Sequence, residues 1–103
     1  MRARRLTDTE IADALKLLPG WRIESGKLHV KWKFTGFPEA IGFMSAIAAE
    51  AQAMDHHPEW FNVWAYITVD LITHDLKAIS DLDTALARKM QALASRLGAE
   101  PQV

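Results

Sequence analysis

A strict alternation of apolar and polar residues from residue 28 to residue 35 is the feature that most limits how this chain can fold. The apolar members are Leu28, Val30, Trp32 and Phe34. Because successive side chains of a strand point to opposite faces of a sheet, this alternation predicts a β-strand with one buried face. A shorter run with Trp21 and Ile23 precedes it, and Ser25-Gly26 can form a tight turn between the two. We therefore predict that the two runs form a β-hairpin.

Helices are predicted on both sides of this hairpin. Thr7 to Glu10 has the spacing of a capping box, and Pro19-Gly20 stops the helical pattern that follows. Pro38 suits the first turn of a second helix, which should end by about His56 because Pro58 disfavours helical backbone at the residue before it. The apolar stripe predicted for this second helix consists of Ile41, Met44, Ile47, Ala48, Ala51 and Met54.

The second half of the chain repeats the succession of two strands and a helix. Trp60 to Thr73 is rich in aromatic and β-branched residues but exceeds a common strand length, so we expect it to divide near Trp64-Ala65. Ser80 begins a third helix, predicted to be the longest, which stops at Gly98 and is followed by a frayed tail. The order α-β-β-α-β-β-α predicts a two-layer α+β fold with three helices on one face of a four-stranded antiparallel sheet.

Size and composition limit the classes of function. With 103 residues, half of them apolar, the chain can form one domain over residues 1–103. Lys and Arg total 12 against 13 Asp and Glu, which gives no general attraction to nucleic acid or to an anionic membrane. No apolar run approaches the roughly 18 residues that cross a bilayer. The absence of cysteine excludes disulfides and thiolate chemistry. We expect a soluble, cytoplasmic protein.

Two segments concentrate the residues that can transfer protons. The first is Asp55-His56-His57-Pro58-Glu59-Trp60 and the second is Thr73-His74-Asp75. Imidazole has an unperturbed pKa of about 6.5, so it can take up and release protons near neutral pH. The neighbouring carboxylates at Asp55, Glu59 and Asp75 could stabilise imidazolium or fix a tautomer. These segments predict a site for general acid and base catalysis.

Other kinds of site are less well supported by the same residues. Three histidines and an aspartate could hold zinc, but HExxH spacing is absent and adjacent histidines chelate one ion poorly. Nucleophilic catalysis would need a cysteine or a recognisable serine motif, and neither is present. The uncovered sheet face and the third helix instead leave open a role as an oligomeric interaction or assembly factor.

The histidine segments also carry a resemblance. At fixed spacings the chain has Asp55 to Val63 with the sequence DHHPEWFNV, an aromatic at Trp64, then Thr73-His74 and finally Asp83. With these residues it resembles the pterin-4a-carbinolamine dehydratase family, which is also described as a dimerisation cofactor of a hepatocyte nuclear factor. The predicted order of helices and strands fits that family along nearly the whole chain.

The resemblance implies a reaction and a set of site residues. The reaction is dehydration of a 4a-hydroxytetrahydropterin, formed by an aromatic amino acid hydroxylase, to a quinonoid dihydropterin, with no metal or bound cofactor. The catalytic residues implied are His56, His57 and His74. The implied substrate contacts are Asp55, Pro58, Trp60, Thr73 and Asp75, and Asp83 is implied as a supporting residue. Our hypothesis is that His57 and His74 exchange protons while His56 orients the substrate. A homodimer or homotetramer is also implied.

One position departs from the family pattern. Relatives usually have an acidic residue four positions before the first histidine, and this chain has Gln52. On a continuing helix Gln52 would lie beside His56 and could hold that ring by a hydrogen bond. Because glutamine carries no negative charge, we expect imidazolium at His56 to be less favoured than in relatives.

Overall fold

The strand predicted from the alternation at residues 28–35 is present in the observed sheet, where it ends at Lys33. The computed structural model describes residues 2–103. Its elements, in chain order, are α1 (Asp8–Leu15), β1 (Arg22–Glu24), β2 (Lys27–Lys33), α2 (Phe37–Met54), β3 (Glu59–Val63), β4 (Tyr66–Leu71), a 3-10 turn (His74–Leu76), α3 (Asp81–Arg96) and β5 (Glu100–Pro101). The predicted α+β succession is confirmed, with one short strand added at the end.

The sheet is antiparallel and places β3 at one edge. Its order is β1-β2-β4-β3, and β5 pairs with the far end of β2. The sequence predicts a frayed tail after Gly98, and this prediction is wrong. Because β1 has only three residues, part of the β2 edge is free, and the backbone N–H of Gln102 donates to the Lys31 carbonyl at 2.8 Å. The tail therefore gains hydrogen bonds that a frayed segment would give to water.

The core forms between the helices and one face of the sheet. Leu28, Val30 and Trp32 are fully buried in β2, as the alternation predicts, and Ile67, Val69 and Leu71 form the matching row of β4. Trp32 also packs edge-on against the rings of Trp21 and Phe43. Burying one such large apolar side chain stabilises a fold by about 1.5–3 kcal/mol.

Helix α2 differs from its prediction in phase and relative length. Its buried side is formed by Ala40, Phe43, Ile47 and Ala51, whereas Ile41 and Ala48 of the predicted stripe are exposed. Small and apolar residues occur nearly all round this helix, so periodicity alone admits more than one buried face. With 18 residues α2 is also longer than α3, which has 16. No helix within residues 2–103 is both long enough and apolar enough to span a bilayer.

The division between β3 and β4 falls where the sequence predicts it. Trp64 and Ala65 form the turn, and Trp64 adopts a left-handed backbone with φ of 51°. The side-chain amide of Asn62 donates to the carbonyls of Trp64 and Tyr66 at 3.0 and 2.9 Å. These two hydrogen bonds hold the turn although neither glycine nor proline is present there.

Candidate active site

One cavity of about 460 Å³ is lined by histidines from both sequence segments, His56 and His57 after α2 and His74 at the 3-10 turn. We call it the histidine cavity. Its other lining residues are Arg2, Ala3, Asp55, Ile72, Thr73, Asp75, Leu76 and Leu82. The cavity is therefore built from the N-terminal segment, the end of α2, the region after β4 and the start of α3.

The backbone at Asp55 directs the first pair of histidines into this cavity. Helix α2 ends at Met54, two residues earlier than His56, because Asp55 adopts the left-handed conformation with φ of 50° and ψ of 43°. The backbone N–H of His56 then donates to the Ala51 carbonyl at 3.0 Å, which closes the helix end. The chain leaves the helix axis here, so His56 turns toward the first turn of α3.

His56 is held by a buried carboxylate. Its Nε2 lies 2.6 Å from Oδ1 of Asp83, and Asp83 is fully buried. The other oxygen of Asp83 accepts from the Ser80 backbone N–H at 2.8 Å and from the Thr73 hydroxyl at 2.9 Å. Burying a carboxylate is costly unless its oxygens are hydrogen-bonded. Here the partners are His56, the Ser80 N–H within the capping box of α3, and Thr73, the residue before His74.

His57 contacts a neutral partner. Its Nε2 lies 3.0 Å from the amide oxygen of Gln52, and its side chain is exposed. The sequence predicted Gln52 beside His56, and this is wrong. The prediction assumed helical spacing from Gln52 onward, whereas the left-handed Asp55 ends the helix and places the next ring within reach instead. The amide therefore orients the more exposed of the adjacent histidines.

His74 has a carboxylate partner that is shared with a lysine. Its Nε2 lies 3.1 Å from Oε2 of Glu59, while Oε1 of Glu59 accepts from the Lys27 ammonium at 2.5 Å. The hydrogen bond from Lys27 lowers the pKa of the Glu59 carboxyl, partial desolvation opposes this, and His74 adds to the lowering. Glu59 in turn raises the pKa of Lys27. Glu59 is therefore ionised across the pH range in which imidazole titrates.

The three rings share a chemical arrangement. In each ring Nε2 is the nitrogen that meets an oxygen of a different residue. It is hydrogen-bonded to Asp83 in His56 and to Gln52 in His57, and in His74 it makes an ion-pair contact with Glu59. Within residues 2–103 no hydrogen bond engages Nδ1 of these rings. A neutral ring that keeps its proton on Nε2 has a basic Nδ1, and a protonated ring has an acidic one. The cavity can thus supply both an acid and a base.

The other residues implied by the resemblance occupy different places. Asp55, Thr73 and Asp75 line the cavity. Pro58 and Trp60 do not, and Trp60 is half-buried against the core. The hydroxyl of Thr73 is already engaged by Asp83 and by Ser80, so only other atoms of Thr73 are free to meet a ligand.

Sequence reasoning missed three apolar wall residues and the N-terminal segment. Ile72, Leu76 and Leu82 are ordinary apolar residues, and only the folded chain shows that they face the cavity. Arg2 and Ala3 reach it because Leu6 N–H donates to the Ile79 carbonyl at 3.0 Å and Asp81 N–H to the Arg4 carbonyl at 3.0 Å. No local motif indicates that pairing. Across residues 2–103, no three side chains of His, Asp or Glu form a cluster with metal-site geometry.

Comparisons with known proteins agree with this architecture. The family model for pterin 4 alpha carbinolamine dehydratase matches residues 4–93. A Solibacter usitatus protein named for pterin-4-alpha-carbinolamine dehydratase is 47% identical over 91 residues, covering 88% of this chain and 96% of its own length. A Brucella ovis protein of the same name is 42% identical over 96 residues, covering 91% and 99%.

A solved structure shares the fold. It is the crystal structure of a transcriptional coactivator/pterin dehydratase from Brucella melitensis, with a TM-score of 0.84 and 42% identity, covering 88% of this chain and 99% of that one. The family match spans most of the chain, and the relatives match over nearly their full length. The chain belongs to the pterin-4-alpha-carbinolamine dehydratase family.

Proposed function

We propose that this protein dehydrates a 4a-hydroxytetrahydropterin to the quinonoid dihydropterin in tetrahydropterin recycling. The observation that carries the proposal is the meeting of His56, His57 and His74 in one cavity, each ring with its own oxygen partner. The family membership and the names of the relatives support the same reaction class.

The chemistry requires two proton transfers. The hydroxyl on the substrate carbon is protonated and leaves as water with the electrons of its C–O bond. The neighbouring ring nitrogen loses its proton, and the electrons of that N–H bond form the C=N bond of the product. An acid and a base positioned at these atoms each contribute typically about a hundred- to ten-thousand-fold in rate. No net oxidation occurs, so the reaction needs no redox partner.

The partners of the histidines suggest their roles. A carboxylate beside imidazole stabilises the protonated ring, whereas an amide supplies no charge. We assign His74, beside Glu59, to protonation of the hydroxyl and His57, beside Gln52, to removal of the ring proton. His56 is buried and fixed by Asp83, which suits binding and orientation of the substrate.

The cavity walls suit a flat heterocycle with polar edges. Ile72, Leu76 and Leu82 provide apolar surface, while Asp55 and Asp75 provide carboxylates that can accept hydrogen bonds from pterin amino and ring N–H groups. Pro58 and Trp60 lie outside the lining, so we assign them no direct contact.

The physiological setting is part of the proposal. The substrate class implies supply by a pterin-dependent aromatic amino acid hydroxylase, and we propose that the protein acts in the cytoplasm without a resident metal.

We also propose a homodimer or homotetramer. Strand β3 is a sheet edge with Phe61 and Val63 exposed by 66% and 54%, and natural proteins usually cover such edges. A purely interacting role is not proposed, because it gives no reason for three oriented histidines in one cavity.

The direct test is turnover of a chemically generated 4a-hydroxytetrahydropterin by the purified protein, followed by absorbance with and without a chelator. We expect acceleration over the uncatalysed dehydration, unchanged by the chelator. A rate equal to the buffer control would refute the proposed activity, and loss of turnover on chelation would refute the metal-free mechanism.

A further inference from the structure

A single carboxylate joins the histidine cavity to the first residue of β2. The two oxygens of Glu59 have separate partners: Oε1 meets the Lys27 ammonium at 2.5 Å and Oε2 meets Nε2 of His74 at 3.1 Å. Lys27 is not among the residues that line the cavity. It therefore reaches the site only through Glu59.

The sheet fixes the geometry of this contact. Glu59 is the first residue of β3 and pairs with Asp70 of β4, which pairs in turn with His29 of β2. Lys27 lies two residues before His29 and so shares its face of the sheet. The three strands hold Lys27 and Glu59 within reach, whereas His74 follows β4 on a short 3-10 turn and its side chain is 72% exposed. The ring is thus the least constrained member of the group.

We propose that Lys27 is a positioning residue for His74. It anchors Oε1 of Glu59, so that Oε2 is held 3.1 Å from Nε2 of His74 to accept a hydrogen bond from Nε2–H, which leaves Nδ1 as the ring nitrogen that takes up and releases the catalytic proton. The role in turnover rests on the proposed dehydratase function, while the positioning itself does not.

Physical chemistry explains why an anchor is needed. A half-exposed glutamate side chain loses rotamer freedom when it is fixed, and this loss opposes the contact. One contact with an exposed ring does not offset that entropy loss, because exposed ion pairs are individually weak. The second partner at Oε1 fixes the carboxylate before the ring approaches. Asp70, which pairs with Glu59 across the strands, contacts His29 at 2.8 Å, and Glu24 contacts the same ring at 3.4 Å.

The test uses the full chain and reads the tautomer of His74 directly. Long-range proton–nitrogen NMR on nitrogen-15 histidine reports which ring nitrogen carries the proton, at a pH well above 7 where imidazole is neutral. We expect the Nε2–H tautomer to dominate in wild type and in Lys27→Arg, which retains the cation. We expect Lys27→Met and Glu59→Gln to give a mixture of tautomers.

A matched control separates this effect from a general loss of positive charge. Lys31→Met removes another lysine from the same face of β2, where its ammonium lies 5.0 Å from the Tyr66 ring centroid. We expect the His74 tautomer in this variant to equal that of wild type. An unchanged tautomer in Lys27→Met, or an equal disturbance in Lys31→Met, would overturn the proposal.

The kinetic consequence is tested separately. In Lys27→Met we expect kcat for dehydration to fall by about ten- to a hundredfold with KM little changed, because the ring is misplaced rather than removed. Lys27→Arg should restore most of the rate. If wild type has no activity, the proposed function fails, yet the tautomer measurement still decides the positioning role. Wild-type kcat in Lys27→Met would contradict that role in turnover.

Discussion

Oδ1 of Asp83 lies 2.6 Å from Nε2 of His56, although the two residues are 27 positions apart and both are buried. The same carboxylate completes the capping box of α3 through the Ser80 backbone N–H. One side chain therefore caps a helix and fixes a ring of the candidate active site. Stability and activity should respond together when it is changed.

Asp83→Asn should impair both properties. The amide nitrogen of asparagine can donate to Nε2 of His56, which would favour the opposite ring tautomer. We expect the free energy of unfolding to fall by about 1–3 kcal/mol because buried donors lose a charged acceptor. Dehydration kcat should fall by about a hundredfold. Urea unfolding and steady-state kinetics measure the two effects.

The control for this variant is Asp8→Asn, which changes an exposed carboxylate in the first turn of α1. It should retain wild-type kcat. A free energy of unfolding and a kcat both equal to those of wild type in Asp83→Asn would contradict this coupling between the helix cap and the His56 ring.

Gln52→Glu should shift the pH dependence of the reaction. A carboxylate at 3.0 Å from the ring of His57 would favour the protonated form, so less of the neutral base would be present at a given pH. We expect the acidic limb of the kcat profile to move upward by roughly one pH unit. Ala53→Glu places the same charge on the neighbouring exposed position and should move the limb much less. An identical profile for Gln52→Glu and wild type would contradict the role of His57 as base.

Glu10 should contribute to the acid sensitivity of the fold. Its hydrogen bond from Arg4, followed by that from the Thr7 backbone, lowers its pKa from 4.5 to about 2. Because the folded pKa is the lower one, ionised Glu10 stabilises the fold above its unfolded pKa, and this contribution is lost as the pH falls toward about 2. Glu10→Gln should therefore show a smaller loss of Tm than wild type over that interval.

Thermal unfolding followed by circular dichroism measures this difference. Glu39→Gln in the first turn of α2 is the matched control and should follow the wild-type curve. Equal acid-induced losses of Tm in wild type and Glu10→Gln would count against the contribution of this ion pair.

Elements whose signals are local could be predicted from the sequence. The alternation at Leu28 and Val30 identified β2, and the caps at Thr7 and Ser80 identified two helix starts, because each signal lies within a few residues. The buried face of α2 could not be chosen, since Ile41 and Phe43 are both apolar and only packing against the sheet distinguishes them. The short β5 was missed because its pairing depends on an edge that β1 leaves free.

The histidine cavity was predictable as a set of residues but not as a set of contacts. The motif named His56, His57 and His74, while their oxygen partners come from other segments or depend on the helix end at Asp55. Because the backbone of Asp55 is left-handed, Gln52 contacts His57 and Asp83 contacts His56. Helical spacing does not predict which side chains meet after Asp55, because the helix ends there.

Single-turnover dehydration of a 4a-hydroxytetrahydropterin by histidine variants tests the central claim most directly. His57→Ala and His74→Ala should each lose about a hundred- to ten-thousand-fold in rate while retaining the wild-type circular dichroism spectrum. His29→Ala, which removes a histidine that does not line the cavity, should retain the wild-type rate. Near-normal rates in both His57→Ala and His74→Ala would contradict the account.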